Sequence, residues 1–121
     1  MNPMQLEYFR RKLLDWKKSL MRESNETLNN LQNDNLGVSD LNDRASLETE
    51  SSLELRTRDR YRKLIIKIDE ALYSIDSGEY GYCEMTGEPI PLDRLEARPT
   101  ATMTIKAQEA YERKERITKD N

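Results

Sequence analysis

The sequence predicts a mostly α-helical chain: a long antiparallel coiled-coil hairpin, a small globular module and a C-terminal helix. Three observations carry that prediction. Hydrophobic and charged residues each make up 36% of the 121 residues, too polar for a thick globular core but suited to long helices with one narrow apolar seam. Apolar residues recur at alternating spacings of three and four over two long stretches. Between those stretches lies Asn35-Leu-Gly-Val-Ser-Asp-Leu-Asn-Asp-Arg-Ala-Ser46, with the composition of a turn.

The first helix opens at Asn2-Pro3, a capping side chain followed by proline at the first helical position. Leu6, Phe9, Leu13, Trp16 and Leu20 form its seam, and Leu28 and Leu31 continue an apolar stripe out of register with the first five. An end near Asn33 is expected, where Asn-Asp-Asn and then Gly37 interrupt the pattern. At 1.5 Å per residue, such a helix makes a rod of roughly 45 Å.

The second helix is expected to start near Asp43 or Ser46. Its seam reads Leu47, Ser51, Glu54 and Arg58, then Tyr61, Ile65, Ile68, Leu72 and Ile75. The half near the turn is polar and the far half apolar, so the hairpin should be packed firmly at its base and weakly towards its tip. Gly78 is the expected C-cap. The hairpin is thus assigned to residues 1–78, with a tip at about 34–46, and the module with its final helix to 79–121.

Within that second region, Tyr80 to Ile90 reads as two short extended pieces around a Thr86-Gly87 turn. Pro91 and Pro99 bracket a loop carrying Leu92 and Leu95. A helix fits Thr102 to about Thr118, with Met103, Ala107, Ala110, Tyr111 and Ile117 available for packing. Tyr80, Tyr82, Ile90, Leu92, Leu95 and Met103 are the expected core of the module.

Composition excludes several chemistries. With one cysteine, Cys83, and no histidine, an intramolecular disulfide, a complete Cys/His zinc site and a histidine triad are all ruled out. Net charge of −3 argues against general DNA or RNA binding. The N-terminus lacks the apolar core of a signal peptide, and no apolar run approaches the roughly 18 residues of a membrane span, so a cytoplasmic protein is expected.

Charge is patterned along the hairpin. From Ser39 to Glu54 there are five acids and one base; from Leu55 to Lys67 there are six bases and one acid. Asp40 and Asp43, exposed on a narrow tip, could approach a Mg²⁺ ion or a nucleic-acid-binding site inside another macromolecule. Aspartates also favour turns, and one of them can serve simply as a helix cap. Arg56, Arg60, Lys63 and Lys67 fall on one helical stripe, roughly opposite Tyr61, Ile65 and Ile68. That stripe is either a docking surface, oriented by the polarity of acidic tip and basic stalk, or an ordinary solvated face.

Cys83-Glu-Met-Thr86 and Thr104-Ile-Lys-Ala107 share a two-residue gap. Cysteine at all four ends would make a treble-clef-like zinc site. With one, the zinc-finger-like module must hold itself together without metal, and a buried structural Cys83 is favoured over an exposed reactive one.

Several runs resemble the DksA family of bacterial transcription factors, in the family's order and over nearly the whole chain. They are Gln5-Leu-Glu-Tyr-Phe-Arg-Arg11, Asp43-Arg-Ala-Ser46, Ser52-Leu-Glu-Leu-Arg-Thr-Arg-Asp-Arg60, Arg62-Lys-Leu-Ile65, Gly81-Tyr-Cys83 and Arg94-Leu-Glu-Ala-Arg-Pro-Thr100. The chain resembles the cysteine-poor, zinc-independent branch. The resemblance implies a non-enzymatic protein that binds RNA polymerase and inserts its coiled-coil tip through the secondary channel. With the alarmone ppGpp, such proteins shorten the life of promoter open complexes.

By the same resemblance, the functional tip comprises Asp40, Asp43 and Ala45, the polymerase contacts are Arg56 and Arg60, and Leu64, Lys67 and Arg98 contribute to a ppGpp site. Fixed positive charge suits a polyphosphate. Thr86, Thr104 and Ala107 stand where zinc-binding relatives have cysteine, so zinc is not expected, and Gln108 replaces a lysine that supports ppGpp in some relatives. A monomer without sequence-specific DNA binding or membrane contact is expected. Two other functions fit the shape: a transcript-cleavage stimulator resembling GreA, and a plain coiled-coil adaptor that dimerises through its seam.

Overall fold

The computed structural model describes residues 1–37 and 44–119, with side chains for 1–33 and 49–118. The described chain is mostly helical: α1 (Pro3–Gly37), α2 (Arg44–Ser77), α3 (Leu92–Ala97) and α4 (Ile105–Lys119). Among the described residues, extended pairing is limited to an isolated antiparallel bridge between Tyr82 and Pro89. By packing, the chain divides into two compact units, one of residues 1–13 and 70–121, the other of residues 14–69.

Asn2 and Gln5 start α1 with a reciprocal cap. The Gln5 N–H donates to Asn2 Oδ1 at 2.8 Å and the Asn2 N–H to Gln5 Oε1 at 3.2 Å, with Pro3 between them at the first helical position. The helix runs past the expected end at Asn33 to Gly37. Asparagine and aspartate have modest helix propensity, which a long helix tolerates, whereas glycine costs most after proline.

The unit of residues 14–69 is a helical pair. Lys17 meets Asp69 at 2.7 Å, Thr27 Oγ1 meets Tyr61 Oη at 3.3 Å and Gln32 meets Glu54 at 3.3 Å. Partners descend α2 as they ascend α1, so the pairing is antiparallel. Leu20 and Ile68 are buried. Beyond them, no described side chain at 21–33 or 49–67 is buried: this stretch includes the polar seam positions Glu54 and Arg58, but also Leu28, Leu31, Tyr61 and Ile65, expected to be apolar packing positions, which are only half-buried.

The other unit holds the module. At the end of α2, Gly78 adopts φ +82, the Glu79 N–H reaches Ser74 O at 2.9 Å and the Gly78 N–H reaches Ile75 O at 3.3 Å, which closes the helix. Phe9, Leu13, Ala71, Tyr80, Cys83, Ile90, Leu95 and Ala107 are buried. The rings of Phe9 and Tyr80 pack 5.7 Å apart, and the Tyr80 hydroxyl donates to Pro99 O at 2.7 Å. Burial raises the Tyr80 phenol above its ordinary pKa. Tyr82 and Leu92, expected in this core, are instead exposed, while Phe9 and Leu13 of α1 are buried.

The segment expected to be a loop between Pro91 and Pro99 contains α3. Pro91 stands at its N-cap, and its carbonyl accepts from the N–H groups of Arg94 and Leu95 at 3.1 and 3.2 Å. The turn ends at Arg98, which Pro99 biases towards extended backbone. Helix α4 begins at Ile105, not Thr102, because Thr104 caps it: Thr104 Oγ1 accepts from the Ala107 N–H at 3.2 Å. Ala107 is the buried residue of α4, while Ala110, Tyr111 and Ile117, expected to pack, are exposed.

Candidate functional site

The basic stretch of α2 separates into two sets. Arg58 pairs with Glu54 at 2.9 Å, and Arg62 and Lys63 grip the two oxygens of Asp59 at 2.8 and 2.9 Å. Lys63 and then Arg62 hold the Asp59 carboxyl below its ordinary pKa, so it remains a full counter-charge. Arg56, Arg60 and Lys67 are exposed and have no carboxylate partner among the described residues. At 100° per residue these three lie within about 40° of one another around the helix. Among the described residues these three thus form a narrow stripe of cations without a carboxylate partner, while Arg58, Arg62 and Lys63 are paired.

Leu64 is half-buried one turn before Lys67 on the same helix. Arg98 belongs to the other compact unit, where it is exposed and forms the C-cap of α3. Asp40 and Asp43 lie outside the described residues, and Ala45 lies in the first turn of α2 with its side chain outside the description. Gln108, the residue in the place of a lysine, donates from Nε2 to Glu112 Oε1 at 3.1 Å.

Of the four positions with two-residue gaps, Thr86 and Thr104 lie beside the Cys83 thiol, and the Ala107 N–H donates to Thr104 Oγ1. The Cys83 N–H donates to Glu88 O at 2.7 Å, the Gly87 N–H donates back to Cys83 O at 2.8 Å, and Gly87 takes φ +76 to close the turn. The Glu84 N–H donates to Thr102 O at 2.8 Å and ties the turn to the segment before α4. Burial pushes the Cys83 thiol up, but the Thr86 hydroxyl and the backbone N–H groups of Thr104, Thr86 and Met85 outweigh it and draw the pKa down to about 7.

Among the described residues, no group of three or more His, Cys, Asp or Glu side chains is placed to hold a metal ion. Thr86 Oγ1 accepts the Glu88 N–H at 3.3 Å, Thr104 Oγ1 caps α4, and Ala107 offers a methyl group. One thiol, two engaged hydroxyls and no fourth donor fall short of the four-coordinate set that zinc requires. The two segments are joined by the backbone bond from the Glu84 N–H to Thr102 O.

Two clusters escaped the sequence reading. In one, Glu54 accepts from Arg58 on its own helix and from Gln32 on the facing one. In the other, Glu96 Oε1 accepts from Tyr8 and from Lys12, both at 2.6 Å, and Lys12 also reaches Glu96 O at 2.8 Å. The seam position of Glu54 was a signal for the first. Nothing in the spacing marks the second, which spans 84 and 88 residues of sequence.

Two family models match the chain. The family model described as DnaK suppressor protein DksA, N-terminal domain, matches residues 5–75, and that described as prokaryotic dksA/traR C4-type zinc finger matches residues 78–113. The RNA polymerase-binding transcription factor DksA of Caulobacter vibrioides is 61% identical over 121 residues, 100% of this chain and 85% of the relative. That of Escherichia coli K12 is 47% identical over 105 residues, 87% of this chain and 70% of the relative. Among solved structures, transcription factor DksA2 from Pseudomonas aeruginosa superposes with a TM-score of 0.78 at 38% identity, covering 96% of this chain and 89% of that one. The RNA polymerase binding protein and transcriptional regulator of Chlamydia trachomatis gives 0.55 at 29% identity, covering 93% of each chain.

Proposed function

The chain belongs to the DksA family of RNA polymerase-binding transcription factors, and we propose that it docks on the polymerase through Arg56 and Arg60 and carries Asp40 and Asp43 into the secondary channel. It is a transcription regulator and not an enzyme. The observation that carries the docking surface is the stripe itself: among the described residues, Arg56, Arg60 and Lys67 have no carboxylate partner while Arg58, Arg62 and Lys63 are paired. A positive strip on an acidic protein suits an acidic rim, where it speeds and orients encounter.

In this reading affinity and effect are separated along the hairpin. The stripe on α2 supplies attraction. The two aspartates, with Ala45 beside them, act electrostatically once delivered and shorten the life of promoter open complexes without catalysing a step. Leu64, Lys67 and Arg98 contribute to a ppGpp site shared with the polymerase. Gln108 brings no charge to that site and spends its amide on Glu112, so synergy with ppGpp is weaker than in a relative with lysine there. The protein works as a monomer in the cytoplasm and without zinc; among the described residues, no helix is long and apolar enough to cross a membrane.

The direct test is co-purification with RNA polymerase, followed by transcription from a ribosomal RNA promoter with and without ppGpp. Binding with reduced transcription supports the proposal; absence of binding refutes it. Shortened 3′ ends on a stalled elongation complex would point to transcript cleavage instead.

A further inference from the structure

We infer that Glu54 is a positioning residue, whose carboxylate sets the register of the two helices where they approach the 38–43 connection. Full burial ends before that point: Leu20 and Ile68 are the last buried side chains on the way towards it among those described, and Leu28, Leu31, Tyr61 and Ile65 beyond them are only half-buried. Beyond them, polar groups bridge α1 and α2. Thr27 and Tyr61 join hydroxyls at 3.3 Å, and further on Gln32 Nε2 donates to Glu54 Oε1 at 3.3 Å.

Glu54 differs from the other acids of the surface ion pairs. Its side chain is 22% exposed, against 41% for Asp59 and 50% for Asp69. It occupies a seam position, where a polar side chain that finds its partner fixes register at some cost in stability. Arg58 donates to the same oxygen through Nε at 3.3 Å and Nη2 at 2.9 Å. This grip limits the rotamers open to the carboxylate and presents it to Gln32. A slip along the helices would separate Gln32 from Glu54, and a displacement of one residue would shift the facing helix ends by about 1.5 Å.

The functional consequence rests on the proposed role of the acidic tip, but the structural claim does not. The test places spin labels at the exposed positions Asn30 and Ser51, in full-length protein whose buried Cys83 is replaced by serine. Inter-label distances are then measured without polymerase. The parent should give one narrow distribution, and both Glu54→Ala and Gln32→Ala should broaden or shift it. Glu54→Gln, which keeps an acceptor for Gln32, should restore most of the narrow component. In parallel, polymerase affinity of Glu54→Ala should stay within about twofold, while its effect on open-complex lifetime at saturating protein falls about fivefold, the order expected for one hydrogen-bonded link.

An unchanged distance distribution in Glu54→Ala overturns the inference, as does a broadening that Glu54→Gln fails to reverse. Equal losses of affinity and of thermal stability would likewise reduce Glu54 to general structural support. Should the wild-type protein leave open complexes untouched, the proposed function fails, while the distance measurement still decides the register claim.

Discussion

Lys63 Nζ lies 2.9 Å from Asp59 Oδ2, one turn away on α2, while Arg60, on the same face, has no carboxylate within reach among the described residues. Two cations on one stripe thus differ in what they can offer a partner. Arg60→Ala and Arg56→Ala should each weaken polymerase binding about three- to tenfold, the range for an unscreened interfacial charge, whereas Arg62→Ala should stay within about twofold. Dissociation constants at low and moderate salt check this. The two sets should differ most at low ionic strength. Equal effects of Arg60→Ala and Arg62→Ala would remove the basis for the stripe.

Asp59 restrains that surface, because it neutralises two neighbouring bases. Asp59→Asn should release Arg62 and Lys63, strengthen polymerase binding and steepen its dependence on salt. An association-rate series against ionic strength provides the readout, and a slower or salt-insensitive association would tell against it.

In the module, backbone hydrogen bonds from Cys83 to Glu88 and from Glu84 to Thr102 tie the Cys83 turn together, and the proposed function dispenses with zinc. Purified protein should contain no stoichiometric zinc, and a chelator should leave its melting temperature unchanged. Thr104→Ala should cost about 1 kcal/mol by removing the cap of α4. Elemental analysis with thermal melts tests both points, and one zinc per chain would contradict the account of the Cys83 turn.

Glu96 gives a pH signature. The hydrogen bonds from Lys12 and then Tyr8 hold its carboxyl below its ordinary pKa of 4.5. A carboxyl lowered on folding stabilises the protein fully above the unfolded value, and that contribution fades as pH falls through 4.5 to the lower folded one. Glu96→Gln should therefore flatten the acid side of the stability curve and leave its slope near neutral pH unaltered. Melting temperatures across that range distinguish this from a pH-independent loss. Because the pair is exposed to solvent, its contribution is modest.

Much of the hairpin was legible from periodicity. Leu13, Leu20 and Ile68 fall on the predicted seams and are buried, and Asn2-Pro3 and Gly78 start and stop helices as their chemistry dictates. The module was less legible, since its core depends on contacts distant in sequence. Tyr82 and Leu92 are apolar enough for a core but are exposed, whereas Phe9 and Leu13, read as hairpin seam, are buried in the unit that holds the module. Helix α3 was hidden by its flanking prolines, although Pro91 accommodates a helix start. The stripe could be drawn from the sequence, but not its division into paired and unpaired cations, which depends on rotamers. Asp40 and Asp43 were singled out by charge and resemblance, and they lie outside the described residues.

The most direct test is the lifetime of a ribosomal RNA promoter open complex with saturating wild-type protein or Asp43→Asn. Wild type should shorten the lifetime, and Asp43→Asn should bind the polymerase with unchanged affinity yet leave the lifetime near that of polymerase alone. Equal activity of the two proteins would contradict the account.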